Sequence, residues 1–200
     1  KPTSGVVYIN DQNIENENNR RKDITINITN EAINMVKKDC DLDKEKVIIL
    51  NQEGWHQGVI GIVASRIKDI YSRPVILISM QKNESIGSCR SISNFDIVDA
   101  LNECKKYLSA FGGHPIAAGL KINTHNIEIF KKLFLDIASK KINSNNLIPT
   151  IYIDAEIKLN DLNNRMIKFL NALEPYGPGN TRPIFVTRNL KVDGIPKLIG

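Results

Sequence analysis

Two short segments about twenty residues apart carry the side chains and backbone freedom of an anion site: GSCRSI (Gly87 to Ile92) and FGGHPIAAGL (Phe111 to Leu120). Adjacent glycines at 112 and 113 let a backbone come within hydrogen-bond distance of a ligand, because no Cβ blocks the approach. They also tolerate the positive φ that turns successive N–H groups the same way. Arg90, flanked by the hydroxyls of Ser88 and Ser91, supplies a planar, permanently charged fork suited to phosphate oxygens. His114 adds a donor whose charge can change near neutral pH. A lone Gly-Gly is usually a turn and a lone Ser-x-Arg is usually surface. Their pairing in a helix-and-strand context is what makes Ser88, Arg90, Ser91, Gly112, Gly113 and His114 a candidate phosphate grip.

The other reactive side chains are weaker candidates. His56, in GWHQG, is a lower-ranked candidate for the same site, while its neighbour Trp55 packs the start of the following helix. Arg66, one or two turns into that helix, is either an exposed cation or a phosphate contact, and the sequence leaves both readings open. Asp41 and Asp43 form a DxD in the charged stretch CDLDKEK, where solvation is the ordinary fate of such residues. His125 stands beside Asn126 at a helix start. Cys40, Cys89 and Cys104 are unevenly spaced without a CxxC, so neither a disulfide framework nor a zinc site is indicated.

The elements that must position the grip follow from periodicity. A polar stretch from Asp11 to Lys22 runs into a segment in which Ile24, Ile28, Ala32 and Met35 or Val36 share one helical face. KVIILNQ (46–52) and RPVILISM (73–80) are apolar runs without polar alternation, and GVIGIVASRIKDIY (58–71) between them reads as a helix. Strand, helix, strand with little polar interruption predicts a buried parallel βαβ unit. The Arg90 segment continues as a strand or strand end. Asp96 caps a helix through about Ser109, which places the glycine pair on a helix-to-strand loop before the strand AAGLKI. Asn126 to about Ile142 is a further helix with Ile129, Leu133 and Ile137 on its buried face. KINSNNLIP then marks a polar linker. Beyond it, TIYIDAEIKL alternates like a strand, DLNNRMIKFLNAL is helical, and PYGPGNTRPIFVTRNL is a Gly/Pro turn entering a strand.

Two hundred residues with 42% hydrophobic content suffice for a buried core. The net charge of +5 and pI near 9.1 favour a polyanionic partner moderately. Much of that charge, including the lysine pairs at 37/38, 105/106, 131/132 and 140/141, reads as solvated helix surface. No apolar run approaches the roughly 18 to 20 residues that span a bilayer, and KPTSGVVYIN lacks a secretory pattern, so no membrane partner and a cytoplasmic location are expected. Both ends read as cut from a longer chain.

GWHQGVIGIVASRI (54–67), GSCRSI with the following NFDIVDAL, and FGGHPIAAGL together resemble the C-terminal half of the RecJ exonuclease family, within the DHH/DHHA1 phosphoesterases. LEPYGPGNTRPIF (173–185) is similar to that family's entry into an OB fold, and NNRRKDI (18–24) to its connector helix. The family typically has Gly where Cys89 stands, a departure that leaves Ser88 and Arg90 in register. The resemblance implies an α/β fold: a DHHA1-type domain with a mixed, largely parallel sheet flanked by helices, then the start of a truncated OB-fold domain. It divides the chain into a connector at 1–40, DHHA1 at 41–145 and OB at 146–200. It further implies 5′-to-3′ hydrolysis of single-stranded DNA in repair and recombination, with Mn2+ or Mg2+ held by a DHH domain elsewhere in the parent chain. No metal, cofactor or catalytic residue is expected within these 200 residues, whose implied partners are the 5′ end of single-stranded DNA and that DHH domain. Isolated, the fragment is expected to be inactive. GGH and Ser-x-Arg also occur in related phosphodiesterases acting on oligoribonucleotides or cyclic dinucleotides, and a non-catalytic nucleic-acid-binding module is a third reading.

Overall fold

A computed structural model describes residues 11–148, 150–177, 179–191 and 194. They fall into two compact units, divided between residues 149 and 150.

The first unit opens with helix α1 (Asp11–Asp39), whose Ile28, Ala32 and Val36 are buried on one face, as the periodicity predicts. Its buried Thr25 and Thr29 donate to the carbonyls of Arg21 and Thr25, so neither hydroxyl is orphaned. Strand β1 (Ile48–Glu53), helix α2 (Gln57–Tyr71) and strand β2 (Val75–Met80) form the expected βαβ unit, with β1 and β2 parallel in the register Ile48↔Val75 to Glu53↔Met80. Strand β3 (Glu84–Arg90), helix α3 (Ile97–Glu103), strands β4 (Leu108–His114) and β5 (Ala117–Asn123), and helix α4 (Ile127–Lys141) complete it. The sheet order is β1-β2-β3-β5-β4.

The sheet is mixed, but its balance corrects the expectation of a largely parallel one. Only β1–β2 is parallel, whereas β2–β3, β3–β5 and β5–β4 are antiparallel. The reason is connection length. Three residues join β2 to β3 and two join β4 to β5, enough for a hairpin and far short of a crossover.

Two more expectations change. The helix capped by Asp96, which accepts from the N–H groups of Val98 and Asp99, ends at Glu103. A 3-10 turn at Lys105–Tyr107 follows, and Leu108 and Ser109 already belong to β4. The glycine pair therefore lies in an edge strand, not in a helix-to-strand loop. In α4 the buried face is Ile127, Phe130, Phe134, Ile137 and Ala138, while Ile129 is exposed and Leu133 only partly covered. The two phenylalanines remove more apolar area from water and set the helix rotation.

Two cores result. Val47, Ile49, Ile76, Ile78, Cys89, Ala118, Leu120 and Ile122 pack against α3 and α4 on one face of the sheet. Ile48, Leu50, Val75 and Leu77 pack against α2, with α1 and Trp55 joining them, on the other.

In the second unit, β6 (Ala155–Glu156) pairs in parallel with β7 (Phe185–Val186), and α5 (Asn164–Ala172) starts at Asn163, which accepts from the N–H groups of Arg165 and Met166. The Gly/Pro turn is tied by Asn180, whose side chain donates to the carbonyls of Leu173 and Pro175. None of the described hydrophobic side chains of this unit is fully buried. Among the described residues no helix is long and apolar enough to cross a membrane.

Candidate nucleic-acid interface

Side chains alternate along a strand, so Ser88 and Arg90 share one face of β3 and Gly87 and Cys89 the other. The register carries both faces across the sheet: Leu77↔Ser88↔Gly119↔Gly112 on one line, and Val75↔Arg90↔Ala117↔His114 on the next. Ser88, Arg90, Gly112 and His114 therefore stand on the face that carries α2. Gly87 has a different task from the one its neighbours suggest. A Cβ there would lie 2.8 Å from two carbons of Leu120, so its absence makes room in the opposite core.

The Arg90 guanidinium is held in three places. Nε donates to Ser65 Oγ at 3.1 Å, and Nη1 donates to Ser88 Oγ at 3.2 Å and to the Cys89 carbonyl at 2.8 Å. Nη2 lies against Gly61 of α2, where an added Cβ would be 2.9 Å away. Ser65 and Gly61 were not among the expected site residues. Their signal was present: Gly58, Gly61 and Ser65 recur at helical spacing in an otherwise aliphatic segment.

Beyond Arg90 the same face is paved with residues of little or no side chain, Ala117, Gly119 and Gly112, of which the two glycines are exposed. His114 is exposed at the end of β4. Gly113 has φ +147°, and a Cβ would come within 2.4 Å of the Ala117 carbonyl oxygen and 2.6 Å of Ala118 Cα. Both obstacles are backbone, so this position excludes a side chain. The Pro115–Ile116 turn is pinned by Ile97 N–H to the Pro115 carbonyl, 3.0 Å, and by Ser91 N–H to the Ile116 carbonyl, 2.8 Å.

Ser91 does not join the cluster. It is 1% exposed and its hydroxyl donates to the Phe95 carbonyl at 2.6 Å, which shapes the entry to α3. His56 is exposed and caps α2, its Nδ1 accepting from Gly58 N–H at 3.1 Å. Trp55 is buried, and its indole N–H donates to Glu31 of α1 at 2.9 Å. Arg66 is exposed on α2 with no hydrogen-bond or ion-pair partner among the described residues. His125 lies exposed in a 3-10 turn, its N–H bonded to Asn123 Oδ1.

Asp41 is held by Lys44 at 2.7 Å, and that ammonium keeps its carboxyl below the usual range. Among the described residues no group of three His, Cys, Asp or Glu side chains could hold a metal ion. The described residues therefore do not fit a metal centre. Burial pushes the thiols of Cys89 and Cys104 up to about 12 and that of Cys40 to about 11, which makes them poor nucleophiles.

A fixed guanidinium and a serine hydroxyl beside a bare, glycine-floored strip on a sheet face can hold and orient an anion. The chain is thus an α/β domain followed by a second, β-containing unit. Residues 44–140 match the DHHA1 domain model and residues 153–200 the RecJ OB domain model. The chain is 31% identical over 187 residues to the single-stranded-DNA-specific exonuclease RecJ of Bacillus subtilis, covering 92% of this chain and 24% of that protein. It is 35% identical over 176 residues to that of Haemophilus influenzae, covering 84% and 30%. Crystal structures of Thermus thermophilus RecJ superpose with TM-scores of 0.77 (Mn2+ complex) and 0.75 (Mg2+ complex) at 27% identity, over 88% and 87% of this chain and 25% and 26% of theirs. The chain belongs to the RecJ family as a DHHA1 and OB portion, spanning 24% to 30% of the length of these two curated relatives.

Proposed function

We propose that this chain is the strand-holding part of a 5′-to-3′ single-stranded-DNA exonuclease acting in DNA repair and recombination in the cytoplasm. Ser88, Arg90 and the backbone at Gly112 and Gly113 hold the terminal 5′ phosphate, and His114 positions the terminal nucleotide or its scissile phosphate. The observation that carries this reading is the fixed Arg90 guanidinium at the head of a face cleared of side chains at Ala117, Gly119 and Gly112. An extended strand could lie there with its phosphate against the cation and no Cβ in its path. The match of residues 153–200 to the RecJ OB domain favours a polymeric strand over a cyclic dinucleotide.

In this reading the chain supplies position and a DHH domain of the same parent protein supplies the Mn2+ or Mg2+ that activates water for hydrolysis. Gripping the terminal phosphate determines which phosphodiester reaches those ions, since reactivity depends on holding atoms in near-attack geometry. Polarity of digestion follows from the grip. The chain alone cleaves no DNA, and metal-dependent cleavage by a nuclease-free preparation would contradict that. The decisive test is Arg90→Ala in the full-length protein, with digestion followed on strands bearing a 5′ phosphate or a 5′ hydroxyl. The advantage of the phosphorylated strand is expected to fall by about tenfold or more, as for a lost charge-assisted hydrogen bond. An unchanged advantage would overturn the assignment.

A further inference from the structure

We infer that Ser65 and Gly61 of α2 are the positioning device that makes Arg90 a directional phosphate donor, an inference that rests on Arg90 holding the phosphate. A guanidinium has five N–H donors. Three are engaged by the protein: Nε–H by Ser65 Oγ at 3.1 Å, and the two on Nη1 by Ser88 Oγ at 3.2 Å and the Cys89 carbonyl at 2.8 Å. The two on Nη2 have no acceptor among the described residues. The free amino group, not the whole fork, is therefore what Arg90 offers a ligand.

Ser65 sets this choice through its own hydrogen. Its hydroxyl donates to the Gly61 carbonyl one turn back, at 3.1 Å, which aims a lone pair outward to accept Arg90 Nε–H. Losing that acceptor frees the side chain to rotate and replaces one presented geometry with many. Gly61 is the complementary half. Glycine is the poorest helix former after proline, yet it stands inside α2. A Cβ there would sit 2.9 Å from Nη2, 3.7 Å from Cζ and 3.1 Å from Ser88 Oγ, pushing aside the amino group that is left free. Neither residue need touch the ligand.

The test is a double-mutant cycle on the full chain, reading the ratio of dissociation constants for otherwise identical single-stranded oligonucleotides with a 5′ hydroxyl or a 5′ phosphate. Ser65→Ala is expected to lower that ratio about five- to tenfold, the scale of a hydrogen bond to a charged group, and to lower it no further in an Arg90→Ala background. Gly61→Ala, which favours the helix, is expected to give a similar loss. In the ligand-free chain the Arg90 Nε–H signal should be protected from solvent exchange in the wild type and lose that protection in Ser65→Ala. A ratio unaffected by Ser65→Ala, or lowered equally with and without Arg90, would overturn the inference while leaving Arg90's role standing. A ratio unaffected by Arg90→Ala itself would remove the functional reading, and this inference with it.

Discussion

Strands β3, β5 and β4 carry two faces built from alternate residues of the same seven-residue segments, and the faces have opposite character. Toward α3 and α4 stand Cys89, Ala118, Leu120 and Ile122, all buried, with Gly87 omitted down to hydrogen so that Leu120 fits. On the other face the same strands present Ser88, Arg90, Ala117, Gly119, Gly112 and His114, and α2 covers only the side nearest β2. The difference teaches that one sheet can separate stability from binding at single-residue resolution, because each register position sends neighbours to opposite sides.

Substitutions on the buried face should therefore cost folding, and those on the bare face recognition. The largest effect is expected from Phe134→Ala, which removes a fully buried ring in contact with Phe95 and Phe130; denaturant unfolding should show a loss of about 3–5 kcal/mol. Gly113→Ala breaks the separation instructively. It sits on the buried-face register, and its Cβ would collide with Ala117 and Ala118 backbone, so a destabilisation of about 3 kcal/mol is expected by the same measurement. Arg90→Ala should do the converse, leaving unfolding within about 1 kcal/mol of wild type while abolishing discrimination of the phosphorylated end.

How far these faces were legible follows from the residues themselves. Ser88 and Arg90 stand two apart in a β-prone run, so their common face was readable, and the unbroken apolar runs around 48 and 75 announced the parallel pair. Gly112 and Gly113 misled because adjacent glycines ordinarily mark turns, whereas here they tile an edge strand whose partner, Gly119, is equally bare. Ser91 misled for a related reason: nothing local says that its hydroxyl will be taken by Phe95. The roles of Ser65 and Gly61 depend on which helix crosses β3, a long-range fact. In the second unit the helical pattern of DLNNRMIKFLNAL and the Gly/Pro turn were legible, while its strands among the described residues are only two residues long.

Smaller effects sharpen the contrast further. Cys89 faces the buried core and burial raises its thiol from 9.0 to about 12, so the protonated form is favoured by folding. That contribution is fully present below pH 9, declines as pH rises from 9 toward 12, and should be missing from the alkaline stability profile of Cys89→Ala. Alkylation of the native chain near pH 8 should reach Cys40 before Cys89 and Cys104. The smallest change is expected at Lys141, which joins Asp99 and Glu103 of α3 to the end of α4 across a largely solvated ion cluster. Lys141→Ala should cost under about 1 kcal/mol and lose its effect in high salt.

The most direct measurement is a chemical-shift titration of this chain with two short single-stranded oligonucleotides that differ only in a 5′ phosphate. A phosphate-dependent response confined to Ser88, Arg90 and Gly112 to His114, and absent in Arg90→Ala, is the predicted result. Shifts of equal size for both strands, or spread evenly over the chain, would contradict an end grip on the bare face of the sheet.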